Sequence, residues 1–284
     1  MKENCPSETA LRVAIRRAAH QVLDDPRVFD DPLALRILDG GNGPSQSPDP
    51  AFLDQSPAAR VLRASLAARS RYAEDALHAA AGRGVRQYVV LGAGLDTFAF
   101  RNPYPGGVLH VFEVDHPATQ AWKRARLEES GIAIPRSLTF SPVDFEKETL
   151  GDGLRQAGFD SGKTAFFSWL GVTPYLEHDA VVATLHFVAS LPAGSGIVFD
   201  YMILPSLLDP AARPALDRLA QRVAAAGEPF RTFFDPSSLA GTLREMGFGR
   251  IEDIDPAGMN ARYFRGRKDK LRVGNLANVM NARV

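Results

Sequence analysis

Hydrophobic positions recur along this chain with two periods, one typical of helices and one typical of buried strands. Apolar residues three and four apart, among them Leu11, Ile15 and Val22, predict an amphipathic helix over residues 7–23. The same spacing predicts a longer helix over residues 57–81. Short apolar runs then alternate with helical patterns, which is typical of an α/β fold whose mostly parallel sheet is covered on both faces.

After residue 84 the alternation predicts seven strands and five helices. The predicted strands cover residues 87–91, 108–114, 138–143, 164–169, 195–200, 248–254 and 275–284. The predicted helices cover residues 117–130, 146–157, 178–190, 214–226 and 236–246. Because residues 262–270 are too polar for a crossover helix, we expect the last two strands to pair as an antiparallel edge without a helix between them.

We expect one domain, residues 1–284, made of four parts. Residues 1–84 form a helical N-terminal lid with a flap rich in Gly, Pro and Ser at residues 40–50, and residues 85–200 form a cofactor-binding core. Residues 201–235 form an insertion on the substrate side, and residues 236–284 form the C-terminal helix and edge strands. The predicted fold class is α/β, with a Rossmann-like sheet, a helical lid and an insertion after the fifth strand.

Composition excludes several classes of function. The 33 Lys and Arg residues balance the 33 Asp and Glu residues and are scattered, so the basic footprint of a nucleic-acid binder is missing. The single cysteine, Cys5, cannot form an intrachain disulfide. No stretch has the apolar character of a secretory signal or a membrane span. We expect a cytoplasmic protein without nucleic acid, membrane or metal as a partner.

The strongest motif is a glycine turn at the end of the first predicted strand. Gly92 and Gly94 allow the backbone to approach a ligand closely. The next strand ends in Glu113 and Asp115, at the distance where nucleotide-binding folds place a ribose contact. The dinucleotide fingerprint requires a third glycine where this chain has Thr97, which counts against a nicotinamide dinucleotide and favours S-adenosylmethionine. A tight turn without a ligand is the alternative.

Carboxylates at strand ends supply further candidate contacts. Asp115, the last residue of its strand, is the better candidate for the ribose hydroxyls, and Glu113 has the alternative of bonding a backbone turn. Asp144 and Phe145 end the third strand and are candidates for contacts with adenine. The alternative for Asp144 is to cap the helix predicted near residue 146.

Other side chains complete the candidate site. Arg69 and Arg71 lie two apart on a helix and point in different directions, so one can reach a cofactor carboxylate; a wholly solvated arginine face is the alternative. Tyr175 and Tyr201 follow the fourth and fifth strands and are candidates for the acceptor pocket. His116 is a candidate base with a structural alternative, and no catalytic base can be assigned.

Three strings stand in order along the chain: LGAGLDT at 91–97, FEVDHP at 112–117 and FSWLGVTPYL at 167–176. Together with TALRVA at 9–14 and RYF at 262–264, they resemble the leucine carboxyl methyltransferase-like family of class I S-adenosylmethionine-dependent methyltransferases, and above all its bacterial O-methyltransferase branch. The resemblance implies S-adenosylmethionine as the cofactor. The family's cofactor-binding positions fall on Arg69, Gly92, Gly94, Asp115, Asp144 and Phe145.

The resemblance implies O-methylation of a carboxylate or hydroxyl of a small molecule, in secondary metabolism. Family members that methylate a phosphatase C-terminus carry a glutamate after the fourth strand, where this chain has Leu170. This departure argues against a protein C-terminal substrate, which stays an alternative function. Two further candidate functions are an NAD-dependent oxidoreductase and a sensor that binds the cofactor without transferring its methyl group.

Overall fold

The structure is a computed structural model that describes residues 7–39, 54–104, 107–144 and 148–284. The helices in these ranges are α1 Glu8–Leu23, α2 Arg36–Asp39, α3 Pro57–Gly82, α4 Pro117–Glu129, α5 Leu150–Gln156, α6 His178–Ala189, α7 Arg213–Ala225, α8 Pro236–Glu245 and α9 Pro256–Tyr263. The strands are β1 Gln87–Leu91, β2 His110–Asp115, β3 Leu138–Pro142, β4 Ala165–Trp169, β5 Gly196–Met202, β6 Arg250–Ile254 and β7 Ala277–Arg283.

Seven strands form one sheet in the order β3-β2-β1-β4-β5-β7-β6. The first five strands run parallel, and β7 is antiparallel to both of its neighbours. The strand order reverses between β1 and β4, and in open α/β sheets ligands bind beyond the carboxyl ends of the strands at such a point. The predicted Rossmann-like fold class, with its antiparallel pairing at the C-terminal end, is confirmed.

Each face of the sheet packs against its own layer of helices. Val198 of β5 belongs to the core that contains Leu77 of α3, whereas Phe199 belongs to the core that contains Leu185 of α6 and Leu243 of α8. Successive side chains of a strand point to opposite faces, so neighbours in sequence lie in different cores. This alternation decides which side chains of β5 can share a site.

Buried polar contacts hold α1 in place. His20 is fully buried, and its Nε2 accepts hydrogen bonds from the backbone N–H groups of Val28 and Phe29 at 3.1 and 3.2 Å. The remaining ring proton therefore lies on Nδ1, which donates to Asp24 at 2.8 Å. The segment that follows α1 is thus hydrogen-bonded to His20 of that helix. Asp24 also forms hydrogen bonds with a residue of α3.

The prediction of no helix between the last two strands is wrong. The short helix α9 begins after Asp255, whose carboxylate accepts a hydrogen bond from the Gly258 N–H at 2.7 Å. Pro256 opens its first turn, where the missing N–H has no cost, and Met259 is buried against the sheet. The polar stretch at 262–270 is not a crossover helix, as predicted, because the helix ends at Tyr263.

The helix after β3 begins later than predicted. It begins at Leu150 because the hydroxyl of Thr149 accepts a hydrogen bond from the Asp152 N–H at 3.1 Å. The flap predicted at residues 40–50, together with Cys5, lies outside the described residues. In the part of the chain that the structure describes, no helix combines the length and hydrophobicity needed to cross a bilayer.

Candidate cofactor and acceptor site

The glycine turn after β1 is tied to the end of β2. Gly92 and Gly94 have φ angles of 63° and 46°, a left-handed conformation that glycine adopts without strain. The N–H groups of Gly92 and Ala93 both donate to the carbonyl oxygen of Val114, at 2.8 and 3.2 Å. A Cβ atom at Gly92 would overlap the side chain of Val172, which follows β4. The turn is therefore enclosed between the ends of β2 and β4, the strands on either side of β1.

Asp115 connects the same turn to the helix that follows β2. Its two carboxylate oxygens accept hydrogen bonds from the N–H groups of Gly94, at 2.6 Å, and His116, at 2.7 Å. Burial raises the pKa of Asp115, although the two N–H groups counteract this effect. A carboxylate oxygen has a second lone pair, so each oxygen can still accept a hydrogen bond from a ligand hydroxyl.

Glu113 has a partner that the sequence did not indicate. Its carboxylate binds Nζ of Lys123 in α4 at 2.6 Å, and both side chains are 1% exposed. Burial raises the pKa of Glu113 to about 7 despite the opposing charge of Lys123. The carboxylate of Glu113 is therefore bound to a buried lysine and not to a backbone turn. No rule of spacing links the two residues, because one lies on a strand and the other on the crossover helix.

Arg69 reaches the carboxyl ends of β4 and β5. Its Nη1 donates to Asp200 at 2.6 Å, and the other oxygen of Asp200 accepts the Gly171 N–H at 2.5 Å. Nε and Nη2 of Arg69 have no hydrogen-bond acceptor among the described residues. Arg71 points elsewhere and pairs with Asp75 at 2.8 Å on the exposed side of α3. The two arginines diverge as predicted, and Arg69 is the one at the strand ends.

Asp200 and Gly171 are site residues that sequence reasoning missed. A signal for Asp200 was present, since a lone charge in the apolar strand GIVFDYM indicates a buried partner. Gly171 has a φ of 72°, and a Cβ there would lie 2.5 Å from Nη2 of Arg69. The guanidinium group thus lies against the backbone of Gly171, which leaves no room for a side chain.

Tyr175 lies where the turn after β4 meets the insertion. It ends the 3₁₀ turn after β4, and its ring lies 5.4 Å from the ring of Phe230 in the insertion. The insertion is held against the turn because the Arg231 N–H donates to the carbonyl of Pro174 at 2.7 Å. Burial raises the pKa of Tyr175 to about 12, against the opposing effect of the nearby Arg69 charge. The phenol is therefore protonated at neutral pH.

Tyr201 does not belong to this group of residues. It is 1% exposed on the opposite face of the sheet from Asp200, and its ring packs against Phe234. Its hydroxyl donates to Asp253 at 2.8 Å. The predicted contact of Tyr201 with an acceptor is corrected by this placement, because the side chain one position earlier in the strand faces α3 instead.

Two further predictions concern the end of β3. Thr149, and not Asp144, caps α5, and the Asp144 carbonyl accepts the Glu148 N–H at 3.0 Å. The cap proposed for Asp144 near residue 146 falls on residues 145–147, outside the described residues. Asp144 lies just beyond β3, beside the end of β2. Phe145 lies outside the described residues.

His116 caps α4, with Nδ1 accepting the Ala118 N–H at 3.2 Å, which is the structural alternative given for it.

The N-terminal helix α1 packs over the glycine turn. A Cβ atom at Gly94 would lie 3.1 Å from that of Ala10, and Arg17 donates to the carbonyl of Leu95. Arg17 also pairs with the fully buried Asp31 at 2.8 Å, and the Thr97 hydroxyl donates to the same carboxylate at 2.7 Å. Thr97, which replaces the third glycine of a dinucleotide fingerprint, therefore connects the turn to Asp31 of the N-terminal segment.

Comparison with known proteins agrees with this architecture. The family model described as leucine carboxyl methyltransferase matches residues 10–189. YktD of Bacillus subtilis, named as an S-adenosyl-L-methionine-dependent methyltransferase, is 34% identical over 291 residues that cover 95% of each chain. A protein of Mycobacterium avium with the same functional name is 32% identical over 216 residues, covering 72% of this chain and 67% of its own length.

Solved structures share the fold at low sequence identity. A possible exported protein of Bordetella parapertussis superposes with a TM-score of 0.54 at 16% identity, covering 98% of this chain and 97% of its own. A protein of the duf574 family from Streptomyces avermitilis gives a TM-score of 0.52 at 18% identity, covering 88% and 96%. The family match and the relatives together establish that this chain is an S-adenosylmethionine-dependent methyltransferase and belongs to the leucine carboxyl methyltransferase family.

Proposed function

We propose that the protein methylates a carboxylate oxygen of a small molecule. The observation that carries this proposal is Tyr175, whose protonated phenol lies beside Arg69 and against Phe230. A protonated phenol can donate a hydrogen bond to an acceptor but cannot remove a proton from it. A carboxylate, with a pKa near 4, is already ionised at neutral pH and needs no base, whereas a phenol acceptor needs one.

We propose that the cofactor lies over the glycine turn, with Arg69 on its carboxylate, Gly92 and Gly94 at the turn, and Asp115 on the ribose. The donor set fits the group, because Arg69 keeps N–H groups that have no acceptor among the described residues, and each oxygen of Asp115 keeps a lone pair. Asp144 is proposed to contact adenine from the end of the neighbouring strand, and Phe145, outside the described residues, is kept as its predicted companion. When bound, S-adenosylmethionine supplies an activated methyl group on a sulfonium centre.

The residues of this chain orient the two reactants and exclude water. Alignment of reacting atoms by a protein is worth about 7–11 kcal/mol of a reaction barrier. We assign the acceptor side to Tyr175 and Phe230, where the insertion meets the turn after β4. The Thr9 N–H donates to Glu228 at 3.2 Å, so that α1 and the insertion meet above the same turn. This contact supports the roles proposed for residues 1–84 as a lid and 201–235 as the substrate-side insertion.

The choice of a small molecule over a protein C-terminus depends on Leu170. This residue stands where the phosphatase-methylating members of the family have a glutamate, and it packs at the edge of the apolar core on the α3 face. An apolar side chain cannot pair with a charged group of a peptide substrate. A place for the reaction in secondary metabolism stays a prediction from the family resemblance.

The product of the reaction tests the proposal. The purified protein is incubated with S-adenosylmethionine labelled in its methyl group and a panel of aromatic and aliphatic acids and phenols. We expect a product whose label is released as methanol by mild alkali, because methyl esters hydrolyse in base and methyl ethers do not. A base-stable product would contradict the carboxylate assignment. Tyr175→Phe, which keeps the ring but loses the donor, should lower kcat/KM for the acceptor and leave cofactor affinity unchanged.

A further inference from the structure

Asp200 joins three elements at the carboxyl edge of the sheet. Its Oδ2 binds Nη1 of Arg69 on α3, and its Oδ1 accepts the Gly171 N–H after β4. Its own backbone carbonyl on β5 accepts a hydrogen bond from the Thr173 hydroxyl at 2.6 Å. Both carboxylate oxygens and the carbonyl of this one residue are therefore committed to neighbours of the proposed cofactor site.

The ion pair restricts a side chain that would otherwise be mobile. An arginine side chain loses up to about 2 kcal/mol of rotamer freedom when it is fixed in one conformation. The side chains of Arg69 and Asp200 are 15% and 10% exposed, so solvent screens the pair little. Asp200 uses one N–H of the guanidinium group, and the backbone of Gly171 lies against the same group. The remaining donors of Arg69 are thereby held in one direction.

We propose that Asp200 is a positioning residue for recognition of the amino-acid end of the cofactor, acting through Arg69. The inference rests on the proposed role of Arg69 at the cofactor carboxylate. Asp200 also makes the pair neutral overall, which suits a ligand end that carries one negative carboxylate and one positive ammonium group. It touches neither the reacting methyl group nor the acceptor, so its effect is on binding and not on the chemical step.

Two ligands that differ at the amino-acid end separate this role from a general structural one. S-adenosylhomocysteine carries the carboxylate, and 5′-methylthioadenosine lacks it. By isothermal titration calorimetry, Asp200→Asn should weaken S-adenosylhomocysteine binding about 10-fold to 100-fold, the range for loss of a charge-assisted hydrogen bond, and leave 5′-methylthioadenosine binding unchanged. The matched control is Asp253→Asn, which removes a carboxylate on the opposite face, bonded to Tyr201, and should change neither affinity.

A double-mutant cycle tests whether Asp200 acts through Arg69. In an Arg69→Gln background, Asp200→Asn should have no further effect on S-adenosylhomocysteine affinity. If Asp200→Asn alone does not fold, the double variant, which removes both charges of the pair, is compared with Arg69→Gln. Equal losses for both ligands, or additive losses in the cycle, would overturn the proposal. A wild-type protein that binds both ligands equally would instead refute the role of Arg69 itself.

Discussion

Arg63 donates two parallel hydrogen bonds to the carboxylate of Asp24, from Nε at 2.7 Å and from Nη2 at 2.9 Å, and both side chains are 2% exposed. The pair connects α3 to the end of α1, and His20 donates to the same carboxylate. It therefore holds the N-terminal helix, whose other end covers the glycine turn, onto the core. The position of α1 over the glycine turn depends on this buried contact.

Removing one partner of the pair should be strongly destabilising. Asp24→Ala leaves the Arg63 charge buried without a counterion, and we expect the free energy of unfolding to fall by about 3–5 kcal/mol. Urea denaturation followed by circular dichroism measures it. The matched control is Asp30→Ala, which breaks the exposed pair with Arg27 and should leave stability unchanged. A similar small effect of both variants would show that the buried pair is dispensable.

The same carboxylate should make stability depend on pH in acid. Burial opposes ionisation of Asp24, but hydrogen bonds from Arg63 and His20 prevail and lower its pKa from 3.8 to about 2. Its contribution is therefore complete above about pH 4 and is lost as the pH falls towards 2. We expect the stability difference between wild type and Asp24→Asn to shrink over this window. A difference that is constant between pH 5 and pH 2 would contradict the assignment.

The Glu113 and Lys123 pair should make stability depend on pH near neutrality. Lys123→Met leaves a buried carboxyl without a partner, and ionisation of this carboxyl then opposes folding. We expect the variant to lose about 3–5 kcal/mol at pH 8 and clearly less at pH 6, where the carboxyl is protonated and neutral. The double variant Glu113→Gln/Lys123→Met should recover most of the loss. A pH-independent loss, or no recovery, would show that the destabilisation arises from packing instead.

We expect Gly92 to be required for cofactor binding as well as for the conformation of the turn. Gly92→Ala places a Cβ against Val172 in a left-handed conformation, and we expect displacement of this segment and a loss of S-adenosylhomocysteine affinity. Gly84→Ala is the control, because Gly84 also has a positive φ of 99° but has open space around it. Both variants should lose some stability, and only the first should lose affinity. Equal affinity in the two variants would remove the turn from the site.

The strands and their mostly parallel pairing were accessible to sequence reasoning, whereas the contacts between distant side chains were not. Buried parallel strands are continuous apolar runs bounded by turn residues, which is why β1 was predicted with its observed bounds. The short helix α9 was missed because its cap at Asp255 and its single buried residue, Met259, form too short a pattern to register as a period.

Tyr201 shows where the reading of the site failed. In β5 a displacement of one residue moves a side chain to the other face of the sheet, and prediction of the face requires the strand register. An aromatic residue near a strand end predicts a pocket contact for Tyr201, but the residue that faces α3 is Asp200. Its partner Arg69 lies 131 residues earlier in the chain, a separation that no local pattern spans.

In the proposed site, the cofactor binds over the glycine turn with its ribose on Asp115. Titration of S-adenosylhomocysteine into wild type, Asp115→Ala and the exposed-residue control Asp179→Ala tests it most directly. We predict binding to wild type and to the control with equal affinity, and binding about 100-fold weaker to Asp115→Ala, because two charge-assisted hydrogen bonds are lost. Wild-type affinity in Asp115→Ala would contradict the account.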